Sequence, residues 1–273
     1  MPDVTVYVDA SFQPSRSGWG AVYDSAEHTV ARFGRLGPAG DVIEAEARAV
    51  RAALTFVPAE ANVRVIVDST EAARVLADGT DAGKYERVSR DVAELAAARR
   101  LSLTVEARHG VNAHAYQRDA HDLANVGRQV RESRAKGPPP VHLRAPAEHA
   151  QSPVARVWLG VVASAHHAYG AVVVAEASGR VRARLERQDR GHAGVQRAVQ
   201  HARAWVGHEA VFLVSCAVAY RASDAWLGLL SSLAARGALL VRDDGRDLEE
   251  RAARYARTLK QGVPSREKTL ARA

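Results

Sequence analysis

Apolar positions along the first part of the chain change spacing from segment to segment. VTVYVDA (4–10) reads as a first strand. GWGAVYD (18–24) and TVARFGRL (29–36) read as two more, joined by a short polar turn at Ser25–His28. From Val42 to Val57 the period becomes helical: Ile43, Ala47, Val50, Leu54 and Val57 share one face, and Pro58 helps to end the helix. VRVIVDS (63–69) is a short apolar strand running into an aspartate. Ser69 and Thr70 then cap a helix, TEAARVLADG, that stops at Gly79. A polar helix over Tyr85–Arg99, the strand LSLTVEAR (101–108) and a helix over Tyr116–Val130 complete this half.

Residues 132–153, ESRAKGPPPVHLRAPAEHAQSP, read as a proline-rich linker, because Pro138, Pro139 and Pro140 favour an extended spacer. The second half repeats the order of elements in the first. GAVY (20–23) aligns with GAVV (170–173), ARAVRAALTFV (47–57) with QRAVQHARAWV (196–206), and ANVRVIVDS (61–69) with EAVFLVSCA (209–217). It closes with ALLV (238–241) and a helix over Asp247–Leu259. The predicted division is therefore 1–131, a linker over 132–153, a second domain over 154–262 and a basic tail over 263–273.

Two strands of the first half end on carboxylates, Asp9 and Asp68. A charge at the end of a buried strand costs several kcal/mol unless something pairs with it. In this element order the two strands are neighbours, so their ends meet. The first helix carries Glu44 and Glu46, and Asp119 and Asp122 flank His121 on the last one. Carboxylates converging on one edge of a mixed sheet repel one another unless cations sit among them. Oxygen ligands select hard ions, Mg²⁺ or Mn²⁺. Two such ions about 4 Å apart activate a water and stabilise a leaving oxygen in phosphodiester hydrolysis.

VYVDAS, GWGAVY, EAEARAVRAAL and VIVDST, in that order, resemble type 1 ribonuclease H over about residues 3–130. The resemblance implies a ribonuclease-H-like α/β fold, a mixed five-stranded sheet flanked by helices, here duplicated in tandem. It also implies two Mg²⁺ or Mn²⁺ ions held by Asp9, Glu46 and Asp68, with Glu46 preferred to Glu44 by its distance from Leu54. The implied activity is endonucleolytic hydrolysis of the RNA strand of RNA–DNA hybrids, leaving 5′-phosphate and 3′-hydroxyl ends. The family's fourth metal position, usually Asp, falls on His121 in AHDLA, a form similar to some plant-type domains; Asp122 or Asp119 is the alternative carboxylate. A mobile histidine before the last helix is assigned to His109, with His114 as the alternative.

The chain departs from the family elsewhere. GDVIE lacks the asparagine pair before the first-helix glutamate, Asp68-Ser69-Thr70 stands for Asp-Ser-Gln, and ADGTDAGKYERVSR (77–90) is too short and neutral to be a basic handle. A second reading is therefore a weak or inactive hybrid- or RNA-binding protein on the same fold. An exonuclease would need a carboxylate two residues after Asp9, where Ser11 stands. In the second half Cys216 and Val195 replace Asp68 and Glu46, and an apolar residue, taken as Val162, replaces Asp9; this half is read as degenerate and without metal.

Charge separates the halves further. The chain carries +7, but residues 1–131 hold 16 lysines and arginines against 18 acidic residues, whereas the remainder holds 22 against 13. The second half is thus read as a mixture of two roles, a packing partner for the first half and a basic clamp on the nucleic acid. Trp158, Trp205 and Trp226 read as core. A single cysteine, Cys216, excludes an internal disulfide and suits a reducing compartment. With no signal-like start and no run of 18 apolar residues, a cytoplasmic protein without a membrane span or small-molecule cofactor is predicted.

Overall fold

The structure is a computed structural model describing residues 1–78, 83–108, 114–130, 139–149, 151–164, 167–188, 193–202, 205, 210–216, 223–258 and 268–270. It forms two compact units, Met1–Pro140 and Val141–Ala273.

In the first unit β1 (Asp3–Ser11), β2 (Ser17–Ser25) and β3 (Thr29–Leu36) form an antiparallel meander. Helix α1 (Val42–Leu54) leads to β4 (Asn62–Val67), and α2 (Thr70–Asp78) and α3 (Glu86–Ala98) lead to β5 (Ser102–Ala107). Strands β4 and β5 add in parallel on the other side of β1, so the spatial order is β3-β2-β1-β4-β5. Helix α4 (Ala115–Gln129) follows β5 and packs across β1, β2 and β3.

Strand β1 is buried on both faces, and its alternation decides what each face meets. Val4, Val6 and Val8 join Ala49, Val50, Ala53 and Leu54 of α1 in the main core. Asp9 and Ser11 point the opposite way, toward α4. Helix α1 ends at Leu54, three residues before its apolar stripe does: Thr55 caps it, and Val57, although fully buried, belongs to the following turn. At the other end Asp41 caps α1 by accepting from Glu44 N (2.9 Å) and also takes Lys84 Nζ (2.8 Å) and the Tyr85 hydroxyl (2.9 Å). Ser69 caps α2 through Ala72 N, as its position predicts.

Three glycines bring α4 into backbone contact with the sheet. A Cβ on Gly20 would lie 2.2 Å from the Ala120 carbonyl, one on Gly18 2.0 Å from Arg128 N, and one on Gly127 2.3 Å from the Gly34 carbonyl.

The second unit repeats the scheme. Strands β7 (Val154–Ala163), β8 (Ala168–Ala175) and β9 (Val181–Arg187) form a meander, and α5 (Ala193–Ala202), β10 (Val211–Cys216), α6 (Asp224–Ala234), β11 (Leu239–Arg242) and α7 (Arg246–Thr258) follow. Strands β10 and β11 run parallel to β7. Residues 132–153 are not all linker: β6 (Val141–His142) pairs with β11, and a single 3₁₀ turn spans Ala147–His149. A short strand β12 (Lys268–Leu270), within the expected tail, pairs with β9. Trp158, Trp205 and Trp226 are buried, as read.

The helix alignment between the halves holds at five buried positions, though fully buried Ala47 corresponds to exposed Gln196. Buried Ala45, Glu46, Ala49, Val50 and Ala53 of α1 correspond to buried Gly194, Val195, Ala198, Val199 and Ala202 of α5. The strand alignment does not. Gly20 faces α4, whereas a Cβ on Gly170 would lie 2.2 Å from Val195 N of α5, so the paired glycines occupy opposite faces. A one-residue shift in a strand exchanges its faces, and GAVY and GAVV are offset by such a shift. Val162 does lie on the α7 side, packed with Leu248, Ala252 and Tyr255.

Replacing Gly20 with alanine forces α4 off β2, and we expect a loss of about 1–3 kcal/mol, read as a lowered denaturant midpoint with unchanged slope.

Candidate metal centre

Asp9 is the seventh residue of β1 and lies two residues beyond the last β1–β4 register pair, Tyr7 with Ile66. Asp68 immediately follows β4 and precedes the Ser69 cap of α2. Glu46 comes from the second turn of α1, whose start is fixed by Asp41. Oxygens of these three side chains lie within 4.8 Å of one another, the one such cluster among the described residues. Asp9 and Glu46 are each only 2% exposed.

Glu46 Oε1 accepts from Ala10 N (3.2 Å), while Oε2 is buried with no hydrogen-bond partner among the described residues. Burial, reinforced by the Asp68 charge, pushes the Asp9 carboxyl up to about 6 despite the favourable contact with His121. Burial and the Asp9 and Asp68 charges hold Glu46 well above the usual carboxylate range. An unpartnered buried oxygen, two carboxyls resisting ionisation and an all-oxygen donor set together fit hard divalent cations.

The other predicted residues divide clearly. Glu44 is engaged at the start of α1, accepting from Gly40 N (2.7 Å) and pairing with Arg48 (2.5 Å), so Glu46 is the cluster's glutamate. His121 reaches the site: its Nδ1 lies 2.8 Å from Asp9 Oδ2. Asp122 is exposed, one residue further round α4, and Asp119 is half-buried; neither joins the cluster. Successive helical positions point about 100° apart, so only one of the three meets β1. His114 caps α4 by accepting from Tyr116 N (3.2 Å) and stacks on Tyr7 with ring centroids 4.6 Å apart. His109 lies outside the described residues.

Sequence reasoning passed over Gln117, Ser11 and Asn125. Gln117, 1% exposed, donates from Nε2 to the Val8 carbonyl (3.0 Å), and Ser11 donates to Asn125 (2.7 Å). Their only signal was the four-residue spacing of Gln117, His121 and Asn125.

Strand order, helices on both faces and carboxylates at the ends of adjacent parallel strands make the first unit a ribonuclease-H-like α/β domain. No family profile matches the chain, and no curated protein does. Similar solved structures include the N-terminal RNase H domain of a Mycobacterium tuberculosis protein, solved as a fusion with maltose-binding protein (20% identity, 46% of this chain and 94% of that one, TM-score 0.39). They also include RNase H1 from the halophilic archaeon Halobacterium salinarum (20%, 46% and 96%, TM-score 0.38). A third is LC11-RNase H1, isolated from compost by a metagenomic approach (17%, 47% and 96%, TM-score 0.38). Among the described residues no helix is long and apolar enough to cross a membrane.

The raised carboxyls fix a pH dependence. A carboxyl with a folded pKa above its unfolded value stabilises the fold at low pH, and this stability is lost as pH rises through the folded value. Without metal, the protein should lose up to about 3 kcal/mol from Asp9 as pH rises from about 4 through about 6. Melting curves in chelator should therefore fall across this window, and added Mg²⁺ or Mn²⁺ should restore the loss at neutral pH in wild type but not in Asp9→Asn.

Proposed function

We propose that this protein is a divalent-metal-dependent endoribonuclease that hydrolyses the RNA strand of RNA–DNA hybrids. The observation that carries the reading is the Asp9–Glu46–Asp68 cluster, with Asp9 and Glu46 buried and Asp68 half-buried, near the ends of β1 and β4. In this reading the triad holds two Mg²⁺ or Mn²⁺ ions, which when bound supply Lewis acidity for the attack of water on a phosphodiester and for departure of the 3′-oxygen. The chain's own contribution is placement. Asp9 and Asp68 are set side by side by strand register, and Glu46 reaches them from α1 with Oε1 anchored on Ala10 N. Burial keeps bulk water from screening the negative cluster, which sharpens its affinity for cations over neutral ligands. Selection of hybrid over DNA duplex would come from contacts to 2′-hydroxyls and from the A-like shape of the RNA-bearing duplex.

The second unit, in the same reading, is a degenerate repeat that binds no metal. Val195, fully buried, stands at the helical position of Glu46, and among the described residues this unit has no cluster of three ligating side chains.

One observation favours a second reading. The fourth metal position of the resembled family is a histidine here, and it is turned onto Asp9. A protein that grips hybrid without cutting it would carry such a change.

A labelled RNA–DNA hybrid incubated with Mg²⁺ or Mn²⁺, beside the Asp68→Asn variant, separates the two. We expect metal-dependent cleavage of the RNA strand with 5′-phosphate ends, and a fall of roughly a hundredfold or more in the variant, as for loss of a principal electrostatic group. Tight binding with no cleavage in either metal overturns the nuclease reading.

A further inference from the structure

Helix α4 meets the end of β1 through three polar side chains one helical turn apart. Gln117 donates to the Val8 carbonyl, His121 Nδ1 contacts Asp9 Oδ2, and Asn125 accepts from Ser11. Residues four apart share one helix face, so the stripe 117–121–125 engages residues 8, 9 and 11 in order. Asn125 Nδ2 also donates to the His121 carbonyl (3.2 Å), bracing the middle rung. Gln117 fills a gap in the backbone ladder: β4 ends at Val67 with no β1–β4 pair beyond Tyr7 and Ile66, and Gln117 takes the Val8 carbonyl where the two strands part.

We infer that this ladder, with His121 as a hydrogen-bond donor to Asp9 and not as a ligand of the divalent cation, fixes the Asp9 carboxylate in the geometry that the cation requires. Nδ1, the ring nitrogen turned toward the cluster, lies 2.8 Å from Asp9 Oδ2, and a nitrogen that donates its N–H there has no lone pair to offer a metal. The remaining lone pair, on Nε2, lies across the ring, and His121 is not part of the cluster formed by Asp9, Glu46 and Asp68. Mg²⁺ and Mn²⁺ favour oxygen over imidazole, which removes a reason for the ring to exchange one role for the other. The side chains fit this division: His121 is 43% exposed while the Asp9 carboxylate beneath it is 3% exposed. Gln117, His121 and Asn125 are then positioning residues acting through Asp9. The inference rests on the triad as a cation site but not on the nuclease reading.

The test uses the full chain with Mn²⁺ as probe. Pulsed electron paramagnetic resonance of the Mn²⁺-loaded protein should show no nitrogen coupling from a directly bound imidazole. Asparagine at 121 keeps an N–H donor, so His121→Asn should hold Mn²⁺ affinity within roughly threefold, whereas His121→Ala should weaken it roughly tenfold to a hundredfold, the range for loss of a ligand's hydrogen-bonding partner. Asn125→Ala should weaken binding several-fold while leaving the nitrogen spectrum unchanged. A directly coordinated nitrogen in wild type, equal losses in the Asn and Ala variants, or no Mn²⁺ binding at all overturns the inference. The spectrum is read on wild type, so a variant that fails to fold does not remove the test. Hybrid cleavage is measured separately: a chain that binds Mn²⁺ without nitrogen coupling and cleaves nothing keeps this inference and loses the nuclease reading.

Discussion

The backbone contact between α4 and β2 is the constraint on which the rest of the first unit depends. At Gly18, Gly20 and Gly127 no side chain of any size fits between helix and sheet. Such a contact leaves the helix one depth and one register, because sliding it would drive a Cβ into a carbonyl. That register sets the polar stripe of α4 opposite the end of β1 and lets His121 touch Asp9 while Gln117 takes the Val8 carbonyl. A helix held off by an intervening side-chain layer would present this stripe to β1 at a different depth.

The same closeness makes the site costly. Asp9 and Glu46 are buried where carboxylates repel, and one Glu46 oxygen is left without a partner. The surrounding structure must over-determine their positions for the cluster to persist. It does so from three directions: the β1–β4 register, the capped start of α1 and the polar stripe of α4. The Asp41 carboxyl, held down to about 2 chiefly by its hydrogen bond with Lys84, has an opposite role. It is a carboxylate stabilised in its charged form at a helix start, whereas Glu46, five residues later, is destabilised in its charged form. One short helix therefore carries one acid favoured in its charged form and one disfavoured in it, and burial separates them.

The triad was legible because its two aspartates close apolar strand-forming runs and element order was readable from apolar spacing, although β1 continues past Asp9 to Ser11. Asp9 and Asp68 follow runs of strand-forming residues, and parallel neighbours bring such ends together. Choosing Glu46 over Glu44 came from the resemblance; the physical reason, Glu44's engagement with Gly40 and Arg48, depends on loop geometry that spacing does not carry. The contact made by His121 was not legible, because it depends on the depth at which α4 docks, and the glycines that set this depth are far from it in sequence. The α1 terminus was overrun for a related reason: Val57 is buried like a helical residue but lies in a turn. GAVY and GAVV misled because the shared Gly-Ala-Val run fits either face of a buried strand, and Gly20 and Gly170, pressed against different helices, reveal the offset.

The two units show how little of the chemistry is contained in the fold. Both place a meander beside two parallel strands with helices between. In the first unit the ends of the central parallel pair present Asp9 and Asp68, with Glu46 from the following helix. In the second, β10 ends at Cys216, and Val162, near the end of β7, is packed with Leu248, Ala252 and Tyr255. Valine stands at Glu46's helical position. A valine there avoids the desolvation cost that the buried glutamate imposes. The same topology thus tolerates a buried carboxylate or a valine at one helical position, and the difference lies in side chains and not in the fold.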